Sequence, residues 1–203
     1  MKTEIDRKSL QERFQHLFAV ISGQRFLKKQ GLNNEVPFFI CPFKADEAVE
    51  MERLQRQLVN RLSQTGVRIL EVNLYDLSIE IIKSRGIWNQ ILEAEPSVSK
   101  EQLLELLQGV LDPQRHLKPA IATKLAESDF DVLFISGVGE VFPYIRSHNV
   151  LNNIQSTAKE KPTLTFFPGE YAYSLENGAS LVLFGILPDD KYYRAFNIFH
   201  CEA

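Results

Sequence analysis

Glu140, Arg146 and His148 lie within nine residues of one another, and their types could act as an acid, an anion clamp and a base. They follow Gly137 and Gly139 in the stretch Asp131-Val-Leu-Phe-Ile-Ser-Gly-Val-Gly-Glu-Val-Phe-Pro-Tyr-Ile-Arg-Ser-His148. Val132 to Ile135 is a short apolar run that reads as a buried strand. The two glycines let the backbone turn after it, and Pro143 suits the first turn of a helix reaching about Gln155. A strand, a glycine turn and a helix opening near charged residues is how open α/β folds build binding crevices. A simpler structural role competes: Glu140 would complement a helix dipole, and Arg146 would pair with it or with Glu170.

Two more clusters carry recognition chemistry. Phe167-Pro-Gly-Glu-Tyr171 places a turn, Glu170 and Tyr171 just after a strand. Tyr192-Tyr-Arg-Ala-Phe196 places Tyr192 and Arg194 near the end of the chain, with Tyr193 and Phe196 shared between surface and core. Tyrosine and arginine are the usual anchors of protein interfaces. Glu140, Arg146, His148, Glu170, Tyr171, Tyr192 and Arg194 are therefore the candidate binding residues.

Standard catalytic patterns are missing. No glycine is followed by Lys-Ser or Lys-Thr, as a phosphate-binding loop requires, and the first strand runs into the glycine-free Pro42-Phe-Lys-Ala-Asp-Glu47. The acid expected to hold a metal at the end of a later strand is replaced by Ser136. Gly137-Val-Gly139 lacks the third small residue of a dinucleotide fingerprint, which falls on Phe142. His16, His116, His148 and His200 are scattered, without metal-ligand spacing. Ser136-Gly137 does not supply a nucleophile elbow. We expect no enzymatic activity, no metal and no cofactor.

The elements that must position these residues follow from periodicity. A first helix is predicted from about Glu4 to Ile21, with Leu10, Phe14, Leu17, Phe18 and Ile21 on one face. After a polar connection, Gln24 to Asn34, comes a first strand at Val36–Phe43, with Pro37 and Pro42 confining it to a short span or an edge. A helix at Ala45–Ser63 and a strand at Val67–Leu74 follow. Then comes a helical insertion, 76–126, with a capping box at Ser99–Gln102. Beyond the Asp131 strand lie strands at Thr163–Phe167, Leu181–Leu187 and Tyr193–Phe199, the last two forming an antiparallel hairpin about a turn at Pro188–Lys191. The expected fold is a single α/β domain over residues 1–203. It has a mostly parallel sheet with helices on both faces and a C-terminal antiparallel hairpin, like a degenerate nucleotide-binding (P-loop-like) core without Walker motifs.

Composition narrows the setting. The 203 residues are 44% hydrophobic, enough for a core, and the formal charge of −3 argues against direct binding of DNA or an anionic membrane. Arg53, Arg56 and Arg61 read as a solvated helix face. Cys41 and Cys201, with a polar N-terminus and no long apolar run, point to a reducing, cytoplasmic setting.

Asn34-Glu-Val-Pro-Phe-Phe-Ile40, Glu71-Val-Asn-Leu-Tyr-Asp76, Gly137 to His148 with Leu151-Asn-Asn153, Phe167 to Tyr171, and Asp189 to Phe196 occur in that order. Together they resemble the BrxB family over nearly the whole chain. The resemblance implies a small accessory component of BREX, a bacterial phage-exclusion system that also contains a DNA methyltransferase, a PglZ-type alkaline-phosphatase-like protein and a large ATPase. It implies an adaptor without assigned catalysis. The PglZ-like protein is the expected partner, other BREX components are possible ones, and no membrane is involved.

Overall fold

The computed structural model describes residues 8–30, 37–174, 178–193 and 195–202. Ser9, in extended geometry, opens α1 (Leu10–Ser22): its hydroxyl accepts from the Glu12 amide at 3.3 Å, and the Glu12 carboxylate accepts from the Ser9 amide at 2.7 Å. The predicted start at Glu4 lies outside the described residues. The supposed polar connection contains a short helix, α2 (Gln24–Leu27), because Phe26 turns inward and is buried.

β1 (Phe38–Phe43) is buried at all six positions, and a 3₁₀ turn (Ala45–Glu47) leads from it into α3 (Ala48–Gln64). β2 (Ile69–Asn73) follows, then α4 (Leu74–Ser84), α5 (Trp88–Ala94) and α6 (Lys100–Val110). The Ser99 capping box forms as read: Ser99 Oγ accepts from the Gln102 amide, and Gln102 Oε1 accepts from the Ser99 amide. A π-turn (Pro113–Leu117) feeds α7 (Lys118–Glu127), which precedes β3 (Val132–Ser136), α8 (Ser147–Thr157) and β4 (Thr163–Ser174). The chain ends in β5 (Gly178–Leu183), β6 (Leu187–Tyr193) and β7 (Phe196–Asn197). Among the described residues no helix is long and apolar enough to cross a membrane.

Five strands form a parallel sheet in the order β2-β3-β4-β1-β7. Alternation along the strands sends Phe39, Cys41, Phe134 and Phe166 to one face, where Leu17, Ile21, Leu58 and Leu62 of α1 and α3 cover them. Phe38, Ile40, Leu133 and Ile135 point to the other face, under Leu77, Ile81, Ile121, Val150 and Ile154 of α4, α7 and α8. Each such side chain, fully buried, is worth about 1.5–3 kcal/mol, which is why both faces must be covered. β1 is interior rather than an edge strand. Its pairing with β7 involves only Phe39 and Ile40, so on that side Pro42 has no ladder to interrupt.

The C-terminal part differs from expectation in three ways. First, Phe167-Pro-Gly-Glu-Tyr171 is not a turn but continuous strand. Beyond Pro168, β4 leaves the parallel sheet and pairs with β5 in antiparallel register from Gly169↔Leu183 to Ser174↔Gly178. Gly169 is required there, since a Cβ would lie 2.1 Å from the Val182 carbonyl oxygen. Second, the hairpin turns at Phe184-Gly185-Ile186 rather than at Pro188–Lys191, using positive φ at Phe184 (57°) and Gly185 (74°). Pro188 lies in β6, which pairs only with β5 and tolerates the missing N–H. Third, the expected final strand divides in two: Tyr193 ends β6, and Phe196–Asn197 leaves the hairpin to pair with β1 in parallel.

Candidate functional site

The crossover from β1 runs through α3 on one face to the far edge of the sheet, while β2 and β3 leave through helices on the opposite face. Where connections diverge like this, the carboxyl ends of the strands part and leave a crevice. A cleft of about 730 Å³ lies there, walled by the first turns of α3 and α4, the Ser136–Glu140 segment after β3, and Pro168 and Phe184 of the β4–β5 arm.

Local chemistry sets each wall. After β1, the chain is pinned by Arg13 of α1, which donates two 2.8 Å hydrogen bonds to Glu47 from a site only 3% exposed. The pair holds the Glu47 carboxyl below its ordinary range. At the end of β2, Asn73 Oδ1 accepts from the amides of Tyr75 (2.8 Å) and Asp76 (3.2 Å), capping α4 and aiming Asp76 at the cleft. Gly137 packs on this cap: it has φ 76°, and a Cβ there would lie 2.6 Å from Asn73 Oδ1. The glycine turn therefore joins the ends of β2 and β3.

Five carboxylates line the cleft: Glu52, Glu71, Asp76, Glu80 and Glu140. Its two cations already have partners, Arg56 with Glu52 at 3.5 Å and Lys124 with Glu80 at 2.7 Å. Gln55 donates to Glu71 at 3.1 Å. Among the described residues no cation forms an ion pair with Asp76 or Glu140. Loss of hydration against the cleft wall, then repulsion from Asp76 and Glu52, holds the Glu140 carboxyl above its ordinary range. Burial, with Tyr75 and Glu140 nearby, pushes the Tyr144 hydroxyl up to about 12. Among the described residues no group of three or more metal-ligating side chains converges.

Of the candidate residues whose side chains are described, only Glu140 lines the cleft. The helix expected from Pro143 starts instead at Ser147, because Val138, Val141 and Ile145 are buried and hold residues 137–145 in successive turns. Glu140 thus does not sit at a helix terminus. Arg146 is the exposed residue preceding α8 and makes no ion pair with Glu140 or Glu170 among the described residues. His148 is half-buried in the first turn of α8. Glu170 is exposed on the arm, and Tyr171 beside it donates from its hydroxyl to the Ala195 carbonyl at 2.8 Å, tying the arm to the segment before β7. Tyr192 falls in β6 with its side chain outside what the structure describes, and Arg194 lies outside the described residues. The residues missed were Glu52, Glu71, Asp76 and Glu80. Asn73 and Asp76, at the end of an apolar strand, were the signal for the α4 wall.

The fold and its crevice define an open parallel α/β protein whose ligand position is acidic and carries no phosphate-binding loop. No solved structure matches the chain. The family model "BREX protein BrxB" matches residues 70–198. A "BREX protein BrxB" of Bacillus cereus (strain H3081.97) is 31% identical over 196 residues, covering 94% of this chain and 98% of that protein. Another, of Escherichia coli O9:H4 (strain HS), is 26% identical over 189 residues, covering 93% and 91%. The chain belongs to the BrxB family and is a component of the BREX system.

Proposed function

We propose that the protein is a non-catalytic adaptor of a BREX phage-defence complex, acting in the cytoplasm and holding the PglZ-like alkaline-phosphatase-type component. The observation that supports this is the cleft. Where open α/β folds place ligands, this chain presents five carboxylates against two cations that are already paired, an excess of negative charge that repels phosphate esters and nucleic acid. In place of a phosphate loop after β1 there is a tight turn locked by Arg13 and Glu47. A tagged pull-down from cells carrying the whole system tests the reading. The PglZ-like protein is expected in fixed ratio without bound nucleotide, and a chain that emerges alone would end the adaptor proposal.

A second reading, a ligand-sensing module on a degenerate P-loop-like core, draws on one observation: Gly137, Gly139 and Glu140 do line the cleft at the carboxyl ends of the strands. Calorimetry with common nucleotides separates the two readings, and no heat with any of them retires this one.

A further inference from the structure

We infer that the cleft is the docking site for an arginine or lysine presented on an otherwise apolar segment of a protein partner, an inference that rests on the adaptor reading above. Two independent observations support it. The first is charge: five carboxylates face two cations that already have partners inside the cleft, and Asp76 and Glu140 form no ion pair among the described residues. The walls beneath them are apolar, including Phe43, Met51, Val72 and Phe166. A long side chain with an aliphatic stem and a cationic head fits that combination. A phosphate would meet repulsion, and no three ligating groups converge for a metal among the described residues.

The second observation concerns the rim. Val49 is 55% exposed, Tyr75 44%, Ile186 76% and Leu187 36%. Val49 follows Ala48 and Tyr75 precedes Asp76, both cleft-lining residues, while Ile186 and Leu187 follow cleft-lining Phe184. Of the large exposed hydrophobics among the described residues, only Leu92 lies more than three residues in sequence from a cleft-lining residue. Exposed apolar residues carried by the segments that line one cavity fit a protein interface better than an ion or small-metabolite site. Phe184 packs edge-on to Phe142 with ring centroids 6.2 Å apart, so the hairpin tip is fixed to the cleft wall. The partner segment would therefore set its basic side chain among Asp76 and Glu140 and rest its apolar neighbours on Tyr75, Val49 and the tip. The pair at Glu140 and Asp76 is mutually repulsive in the free protein, and an incoming cation relieves that repulsion.

The test measures the affinity of the full chain for the purified PglZ-like component. It compares wild type with the shape-preserving double variant Asp76→Asn/Glu140→Gln and with Ile186→Glu at the tip. Weakening of about tenfold or more is expected for each, with melting temperatures not lowered for the double variant, and the wild-type affinity should fall as salt rises. Should wild type bind and both variants bind equally well, the docking surface is overturned while the adaptor reading stands. Failure of wild type to bind overturns the adaptor reading and this inference with it. A calorimetric heat with Mg²⁺ alone that the double variant abolishes, while partner binding is unchanged, would make the cleft a cation site and also overturn the proposal.

Discussion

At the amino ends of β2 and β3, Arg68 faces Asp131 and Asp129; at the carboxyl ends of the same strands, Asp76 repels Glu140, and among the described residues neither forms an ion pair. Arg68 binds Asp131 through three hydrogen bonds of 2.8–3.0 Å and also pairs with Asp129. The guanidinium pulls the Asp131 carboxyl down to about 2, and these carboxylates hold the Arg68 proton more firmly than usual. Glu140 is shifted the other way by burial and by its acidic neighbours. One end of the sheet closes its charges on themselves, and the other leaves Asp76 and Glu140 open among the described residues. Closed charge ties two strands together. Open charge costs stability and is useful only if something else supplies the counter-charge.

The sharpest way to break this contrast is at the Arg13–Glu47 pair, which is closed at the open end as the more exposed Arg56–Glu52 and Lys124–Glu80 pairs are, but with its arginine buried. Arg13→Ala leaves Glu47 without its cation and a hole beside Met51, and should cost about 3 kcal/mol, the lower end for a broken buried pair because Glu47 is partly exposed. Thermal denaturation should show a fall of about 6–12 °C. Next, removing charge should act with opposite sign at the two ends. Arg68→Gln is expected to lower the melting temperature, whereas Glu140→Gln should raise it by about 1–2 °C. Equal signs at both ends would dismiss the distinction.

The pH dependence sharpens it further. The folded-state pKa of Asp131 is depressed, so its contribution is present above about pH 4 and is lost as pH falls toward about 2. Asp131→Asn should flatten the acid limb there, modestly, since the pair is partly screened by solvent. Glu140 has a raised folded-state pKa, so its contribution runs the other way: stability declines as pH rises past the ordinary value of 4.5, and Glu140→Gln should remove that slope. Urea titrations across pH would read both. The smallest effect is expected at Arg146→Glu, an exposed side chain without an ion pair among the described residues, whose melting temperature should stay within about 1 °C of wild type.

Periodicity made much of this fold legible. The apolar runs at Phe38–Phe43 and Val132–Ile135 are strands, and Leu17, Leu58 and Leu62 lie on buried helix faces as their spacing indicates. The arm was not legible. Pro168-Gly169 carries turn chemistry, yet pairing with β5 keeps β4 extended through it. The real turn begins at Phe184, a bulky residue at positive φ that gives no local signal. The cleft was half legible. The glycine turn leading to Glu140 marked one wall, but Glu71 and Asp76 reach the same space from another strand. Only the strand order brings them together, and long-range pairing leaves no trace in local spacing.

The position of β1 bears on how the chain can be made. Its partners β4 and β7 are both encoded near the far terminus, so Phe38–Phe43 leaves the ribosome about 120 residues before Thr163 can pair with it. At about 5–20 residues per second, six consecutive apolar residues wait on the order of ten seconds without either neighbouring strand to pair with their backbone. During synthesis this strand is the natural place for a chaperone to bind, and the protein's yield in cells should depend on that protection more than its final stability would suggest.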